Sequence, residues 1–293
     1  MATASVTSRI LLRNILFTTD FSEASRAALP FAVDLARLYE GKILVAHVVP
    51  HEPYLSVPLE PIPVDLDVFW NQAKQKLESF AAEASFGKVA HEAFLQRGDL
   101  WDGIADMIEK KNIDLVVAGT HGRHGLKKMV LGSAAERIYR QARCPVLTIG
   151  PEAVECGQAA WEIQEILFAT DFSEASLRAL PYALSLAEEN QANLVFVNVA
   201  PLVPYQYKEA VESNTRKKLE ALMPNEPWCH ADFVVNFDFP AQGILQVARE
   251  RSADLIVLGV KKPGAIILTS HLPWSTASDV VSAAPCPVLT VRG

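Results

Sequence analysis

The sequence predicts an α/β protein of two tandem, Rossmann-like domains, each an open parallel five-stranded sheet with helices on both faces. The chain repeats itself: residues 15–25 read ILFTTDFSEAS, residues 166–176 read ILFATDFSEAS, and both copies end in CPVLT. Within each copy, short apolar runs alternate with longer segments whose apolar residues recur every three or four positions. Strands separated by helices imply parallel pairing with right-handed crossovers. The 293 residues suit two domains, which we place at 1–150 and 161–293 with a linker near 151–160.

The elements of the first copy follow in chain order from these patterns. The predicted strands are 13–18, 43–49, 89–96, 113–118 and 146–149, and the predicted helices are 22–40, 66–84, 101–108 and 132–142. Ser22 is suited to cap the first helix, and Pro30 and its counterpart Pro181 predict a kink in that helix in both copies. The proline-rich residues 51–64 predict a surface loop.

Composition and charge narrow the class of function. A net charge of −7 argues against nucleic acid as a partner, and no apolar run approaches the roughly 18 residues that span a bilayer. The first nine residues contain no secretory apolar segment, and the cysteines form no C-x-x-C pair, which favours a cytoplasmic location. His47, His51 and His91 lack the spacing of a helical metal-binding pair, so no metal site is predicted.

A glycine-rich stretch after the fourth predicted strand indicates a phosphate or nucleotide site. Of 14 glycines, six fall in one span: Gly98, Gly103, Gly119, Gly122, Gly125 and Gly132. A strand, a glycine-rich loop and a helix start let backbone N–H groups approach a phosphate. The alternative is an ordinary turn, which needs only one or two glycines. If the first and fourth strands are neighbours, Asp20 and this loop lie on one rim of the sheet.

The chain resembles the universal stress protein family in its tandem two-domain form. The T-D-F-S-E-A-S opening, the C-P-V-L ending and Gly119-x-x-Gly122-x9-Gly132-Ser133 carry the resemblance. The last is the G-x-x-G-x9-G-[ST] signature of the family's ATP-binding branch. The resemblance implies the strand order 3-2-1-4-5 and an adenine nucleotide, ATP with or without Mg²⁺, bound in the first domain.

The resemblance also implies the roles of single residues. Asp20 would meet the adenine or ribose, with Thr18 and Thr19 beside it, while Val48 would pack on adenine. The ribose would lie between Ala118 and Gly119. The remaining residues would surround the phosphates: Gly122, Arg123, Gly125, Gly132, Ser133 and Ala134. Alternatives stay open, because Asp20 could merely cap a helix and His121, Arg123 and His124 could be solvent-facing.

The second copy departs from the signature. Lys262 stands where the first copy has Gly122, and Trp274-Ser275 replaces Gly132-Ser133. A Lys side chain and an indole then occupy sites that require bare backbone, so we expect this copy to have lost ATP binding. Because Asp171 is kept without the glycines, a structural role is enough to explain an aspartate there.

Three functions remain compatible with these residues. The first is a non-enzymatic stress-response protein in which an adenine nucleotide controls conformation or partner choice. The second is an ATPase or an adenylyl- or phosphoryl-transferase, although the sequence has no G-K-[ST] P-loop and no evident general base. The third is an interaction protein that binds no nucleotide. We also expect an internal pseudo-dimer through antiparallel pairing of strands 146–149 and 288–291, and whole chains could pair as homodimers.

Overall fold

The structure is a computed structural model that describes residues 10–50, 66–120, 132–156, 161–224, 229–261 and 273–292. Its first half runs from β1 to β5 in this order: β1 Asn14–Thr18, α1 Glu23–Ala27, α2 Leu29–Leu38, β2 Lys42–Val49, α3 Leu66–Glu83, β3 His91–Arg97, α4 Leu100–Lys110, β4 Leu115–Gly119, α5 Ser133–Gln141 and β5 Val146–Ile149.

The linker and the second half continue the alternation. Their elements are α6 Pro151–Cys156, β6 Glu165–Ala169, α7 Glu174–Leu177, α8 Leu180–Asn190, β7 Asn193–Ala200, α9 Tyr205–Glu220, β8 Ala231–Phe237, α10 Pro240–Glu250, β9 Leu255–Val260, α11 Pro273–Ala283 and β10 Val288–Arg292. The predicted linker therefore contains a short helix, α6, with Ala153 fully buried. The predicted loop at 51–64 lies outside the described residues.

The strands form one sheet in the order β3-β2-β1-β4-β5-β10-β9-β6-β7-β8. Each half therefore has the expected order 3-2-1-4-5, with parallel pairing inside each half. The two predicted five-stranded sheets form one sheet of ten strands, because β5 and β10 pair antiparallel. Since that pair is antiparallel, the carboxyl ends of the strands lie at opposite edges of the sheet in the two halves.

The junction between the halves confirms the expected pairing of the last strands. Thr148 lies opposite Val288, and its hydroxyl donates to the Val288 carbonyl at 3.1 Å. Thr290 repeats this contact with the Val146 carbonyl at 3.2 Å. Each edge strand thus satisfies the other's backbone groups, as an apolar edge requires.

The hydrophobic core runs through both halves on each face of the sheet. Alternate residues of β1 point to opposite faces: Ile15 and Phe17 join the layer of α2, α3 and α8, and Leu16 joins the layer of α4, α5, α10 and α11. Trp161 reinforces the junction on the first face, since its ring packs against Phe31 and its backbone N–H donates to the Asp34 carboxylate of the other half at 3.1 Å. Independent domains on a flexible linker are therefore excluded.

The first predicted helix is two helices in both copies. The break falls at Ala28 in the first half and at Ala179 in the second, and each proline occupies the first turn of the helix that follows. Proline fits this position because its missing N–H would have no intrahelical acceptor there. The expected kink is therefore a full interruption.

Candidate functional site

The carboxyl ends of β1, β2 and β4 form the rim that the sequence predicted. Thr18 lies between Ala46 of β2 and Ala118 of β4 in the register of the sheet. Its hydroxyl reaches the Val117 carbonyl at 3.4 Å. The strand order reverses at β1, because β1 connects to β2 on one side while β4 lies on the other. Open α/β sheets bind ligands at such a point.

A tight turn follows β1 and determines where Asp20 lies. The Thr19 hydroxyl accepts the Phe21 N–H at 3.0 Å and bonds the Ser25 hydroxyl at 2.9 Å. The Asp20 carboxylate accepts the Ser22 N–H at 2.9 Å. Phe21 has a positive φ of 66°, which is uncommon for a bulky residue. The Thr19 side chain, only 6% exposed, therefore makes its hydrogen bonds inside the turn, and its place beside a nucleotide stays a prediction.

Val48 and Gly119 both have structural partners at the rim. A Cβ added to Gly103 of α4 would lie 3.2 Å from a methyl group of Val48, so α4 packs closely on this side chain. A Cβ added to Gly119 would lie 2.8 Å from the Ala24 carbonyl oxygen, so α1 crosses β4 at a distance that only glycine allows. Part of the glycine clustering that indicated a phosphate site therefore comes from packing.

Helix α5 begins beside the end of β4. The Gly132 N–H donates to the Thr120 carbonyl at 2.7 Å, and Thr120 in turn bonds the Ile149 carbonyl through its own N–H at 2.9 Å. The Gly132 N–H thus has an acceptor within the protein, and its predicted contact with phosphate stays a prediction. Gly132 is the N-cap, and the first intrahelical bond runs from the Glu136 N–H to its carbonyl.

Ser133 and Ala134 are the first two residues of this helix after its N-cap. Both residues are exposed. The first N–H groups of a helix have no intrahelical acceptor, and none of the described residues accepts a hydrogen bond from either backbone N–H. Two N–H groups and one hydroxyl at a helix amino end suit an anion. Gly122, Arg123 and Gly125, which the sequence placed around the phosphates, lie outside the described residues.

The corresponding rim of the second half has the same turn. The Phe172 N–H donates to the Thr170 hydroxyl at 3.0 Å, the Ser173 N–H donates to Asp171 at 3.0 Å, and Phe172 has a φ of 62°. Gly259 repeats the close approach of Gly119, because a Cβ there would meet the Ala175 carbonyl at 2.0 Å. The opening motif is thus a structural feature common to both halves.

The two rims differ in the charges around the turn. Lys261, in the place of His121, has its Nζ 3.9 Å from the Asp171 carboxylate. Burial raises the pKa of Asp171, but hydrogen bonds from Ser173 and Ser176 and the charge of Lys261 outweigh it, and the pKa lies below its usual value. Lys262 and the side chain of Trp274 lie outside the described residues.

Comparison with known proteins decides the family. The profile of the universal stress protein family matches residues 12–150 and 162–292. The chain belongs to the universal stress protein family. It is 33% identical over 143 residues to universal stress protein MJ0531 of Methanocaldococcus jannaschii, covering 47% of this chain and 82% of that protein. Universal stress protein A homolog 1 of Coxiella burnetii is 32% identical over 144 residues, or 47% of this chain and 95% of that protein.

A solved structure shows the same tandem universal stress protein fold. The crystal structure of a universal stress protein from Archaeoglobus fulgidus superposes with a TM-score of 0.72 at 21% identity, covering 95% of this chain and 98% of that one. Because the superposition covers both halves, it supports the arrangement of the two halves as well as the fold of each.

Other kinds of site find little support in the part of the chain that the structure describes. No group of three or more metal-ligating side chains occurs there, and no described helix reaches the length and hydropathy that a bilayer crossing requires. Burial raises the pKa of the Cys144 thiol to about 12, so this cysteine is no nucleophile at neutral pH.

One residue of the rim was missed by the sequence prediction. The His47 ring nitrogen Nδ1 lies 2.7 Å from the Thr19 carbonyl, and the corresponding Asn198 donates its amide to the Thr170 carbonyl at 2.8 Å. His47 was weighed only as a metal ligand. An alignment of the two copies would have shown a polar residue at one position of an otherwise apolar strand in both.

Proposed function

We propose that the first half binds an adenine nucleotide, with the phosphates at the amino end of α5 and the nucleoside toward Asp20 and Thr18. The observation that carries this proposal is the meeting of two groups at one rim. Asp20 lies in the turn that follows β1, and the exposed residues Ser133 and Ala134 begin α5 after the neighbouring strand β4. The glycine signature between them supports the same site.

Backbone donors supply most of the binding to phosphate in this proposal. Hydrogen bonds to a charged acceptor contribute about 1.5–3 kcal/mol each, whereas the helix dipole adds about 0.3–1 kcal/mol. Mg²⁺ would arrive with the nucleotide phosphates, because the described residues supply no cluster of carboxylates to hold the ion separately. The second half, with Lys261 against Asp171, binds no ATP in this account.

The protein then acts as a nucleotide-dependent regulator or interaction module in a stress response, rather than as an enzyme. The rim as described supplies donors and one carboxylate but no evident base for activating water. Hydrolysis of ATP should therefore be far slower than the roughly 10 per second typical of enzymes. A cytoplasmic location, and homodimers of the whole chain, remain predictions.

Ser133→Pro tests the phosphate site with little cost to the helix. Ser133 is the first helical residue, where proline is favoured, and Gly132 before it has φ −62° and ψ 138°, which a following proline accepts. The change removes the N–H and the hydroxyl together. We expect ATP affinity, measured by calorimetry, to fall about 10- to 100-fold.

Ser133→Ala is the matched control, because it removes only the hydroxyl and should cost less affinity. Equal affinities of wild type and Ser133→Pro would contradict the site. Mass spectrometry of the denatured purified chain adds an independent check, since a bound nucleotide should be released.

A further inference from the structure

We propose that His47 is a positioning residue that holds the Thr19–Asp20 segment, and with it the Asp20 carboxylate, in the geometry that binds the nucleoside. The inference rests on the proposed function, because it assigns the role of Asp20 to that site. The inference goes beyond the proposed function because it names a residue, outside the glycine signature, whose hydrogen bond nucleotide binding requires.

The Thr19 carbonyl needs a donor that the sheet does not supply. The Thr19 N–H makes the last bond of its strand to β2, donating to the Ala46 carbonyl at 2.9 Å. The chain then turns away through Phe21, whose φ is positive. Because buried backbone groups require partners, a side chain from β2 takes over, and Nδ1 of His47 approaches the Thr19 carbonyl to 2.7 Å.

The chemistry of this contact fixes the proton on the ring. A carbonyl oxygen only accepts hydrogen bonds, so Nδ1 must carry the hydrogen. Both the neutral Nδ1–H tautomer and the protonated imidazole supply it. The ring is also held from the side, since its centroid lies 4.4 Å from that of Phe21.

These contacts fix the residues on either side of Asp20. His47 holds the carbonyl before Asp20, the Thr19 hydroxyl holds the Phe21 N–H after it, and the Ser22 N–H binds the carboxylate itself. If the His47 bond is lost, the Thr19–Asp20 peptide can rotate and the carboxylate leaves its place.

The second half shows which property of the side chain matters. Asn198 is 9% exposed, and its amide donates to the Thr170 carbonyl at 2.8 Å, with the rest of the turn unchanged. The position therefore requires a side-chain N–H donor and not an imidazole. The chain itself provides the conservative replacement, His47→Asn.

The test compares ATP affinity among three variants by calorimetry. His47→Asn should bind ATP as the wild type does. His47→Leu, which has no donor, should bind about tenfold more weakly, equivalent to about 1.4 kcal/mol. Asn198→Leu is the matched control: it removes the same kind of bond from the second half and should leave ATP affinity unchanged.

A second measurement needs no nucleotide. In the nucleotide-free chain, the amide hydrogens of Phe21 and Ser22 should exchange faster in His47→Leu and at the wild-type rate in His47→Asn. Wild-type affinity in His47→Leu, or weak binding in His47→Asn with normal exchange, would overturn the inference, the latter because the imidazole itself would contact the ligand. If the wild type binds no ATP, the proposed function fails while the exchange rates still decide the role of His47.

Discussion

In the first half the side chain that closes the turn is His47 and the neighbouring helix starts with Gly132-Ser133, whereas in the second half these places hold Asn198 and Trp274-Ser275. The turns after β1 and β6 are otherwise alike. Both have a threonine hydroxyl that accepts a backbone N–H (Thr19 and Thr170), a phenylalanine with positive φ (Phe21 and Phe172) and a serine N-cap (Ser22 and Ser173). The turn is therefore part of the fold, and the helix start with its preceding loop distinguishes the candidate site.

The comparison also distinguishes what the second half does for the sheet from what its own rim does. Its β10 pairs with β5 and completes the sheet beside β4, on which the candidate site depends. The rim of the second half lies at the opposite end of the strands. It carries the ion pair of Lys261 and Asp171, and Lys261 follows β9 where the glycine signature follows β4 in the first half. In the function proposed above, the second half serves as a structural partner of the first.

Thr148→Pro should give the largest effect, because it breaks the strand pair that joins the halves. Proline removes the N–H and the hydroxyl that face Val288. We expect a loss of about 2–4 kcal/mol in the free energy of unfolding, since a buried carbonyl also loses a donor. Urea unfolding gives the value, and faster hydrogen exchange in β10 should accompany it.

Thr148→Val is the control for that change, because it keeps the β-branched shape and removes only the hydroxyl. It should lower stability by about 1 kcal/mol. If β10 were as well protected from hydrogen exchange in Thr148→Pro as in the wild type, the association of the two halves would not depend on the β5–β10 pair.

Gly119→Ala and Gly259→Ala should each lower stability by about 1–3 kcal/mol, because the added Cβ would collide with a helix backbone. The effect should be greater at Gly259, where the distance to the nearest carbonyl oxygen is 2.0 Å rather than 2.8 Å. Thermal unfolding measures both. If Gly119→Ala left stability unchanged but weakened ATP binding, this glycine would belong to the site and not to the common scaffold.

Asp171→Asn should have the smallest effect, which should be present above about pH 4 and disappear in acid. The pKa of Asp171 is lowered in the folded chain, so its contribution is complete above the unfolded value near 3.9 and is lost as pH falls through the lower folded value. The side chain is 63% exposed, and solvent screening limits the contribution to less than about 1 kcal/mol. Stability curves of wild type and variant should therefore converge below about pH 4, and a gap that widened toward acid would contradict the assignment.

The sequence predicted the fold closely because most strands are short, largely apolar runs and because the whole pattern is duplicated. It also predicted that β5 and β10 would meet, since each is an apolar edge in the family's strand order. It could not predict the turn after β1, because nothing in the sequence requires a left-handed Phe21. Gly103 and Gly119 were interpreted as part of a ligand signal, although α4 packs closely on Val48 at Gly103 and α1 crosses β4 at a distance that only glycine allows at Gly119.

The candidate site was predicted less completely for a similar reason. A motif names residues but does not show where their hydrogen bonds go. The Thr19 hydroxyl and the Gly132 N–H are used within the fold, and the contact of His47 with the Thr19 carbonyl appears only when β1 and β2 lie side by side.

The most direct test of the account is the stoichiometry of ATP binding to the whole chain. Calorimetric titration in the presence of Mg²⁺ should give one site per chain, which Ser133→Pro weakens and Asp171→Asn leaves unchanged. Two equivalent sites per chain, or a single site that responds to Asp171→Asn and not to Ser133→Pro, would contradict the assignment of nucleotide binding to the first half.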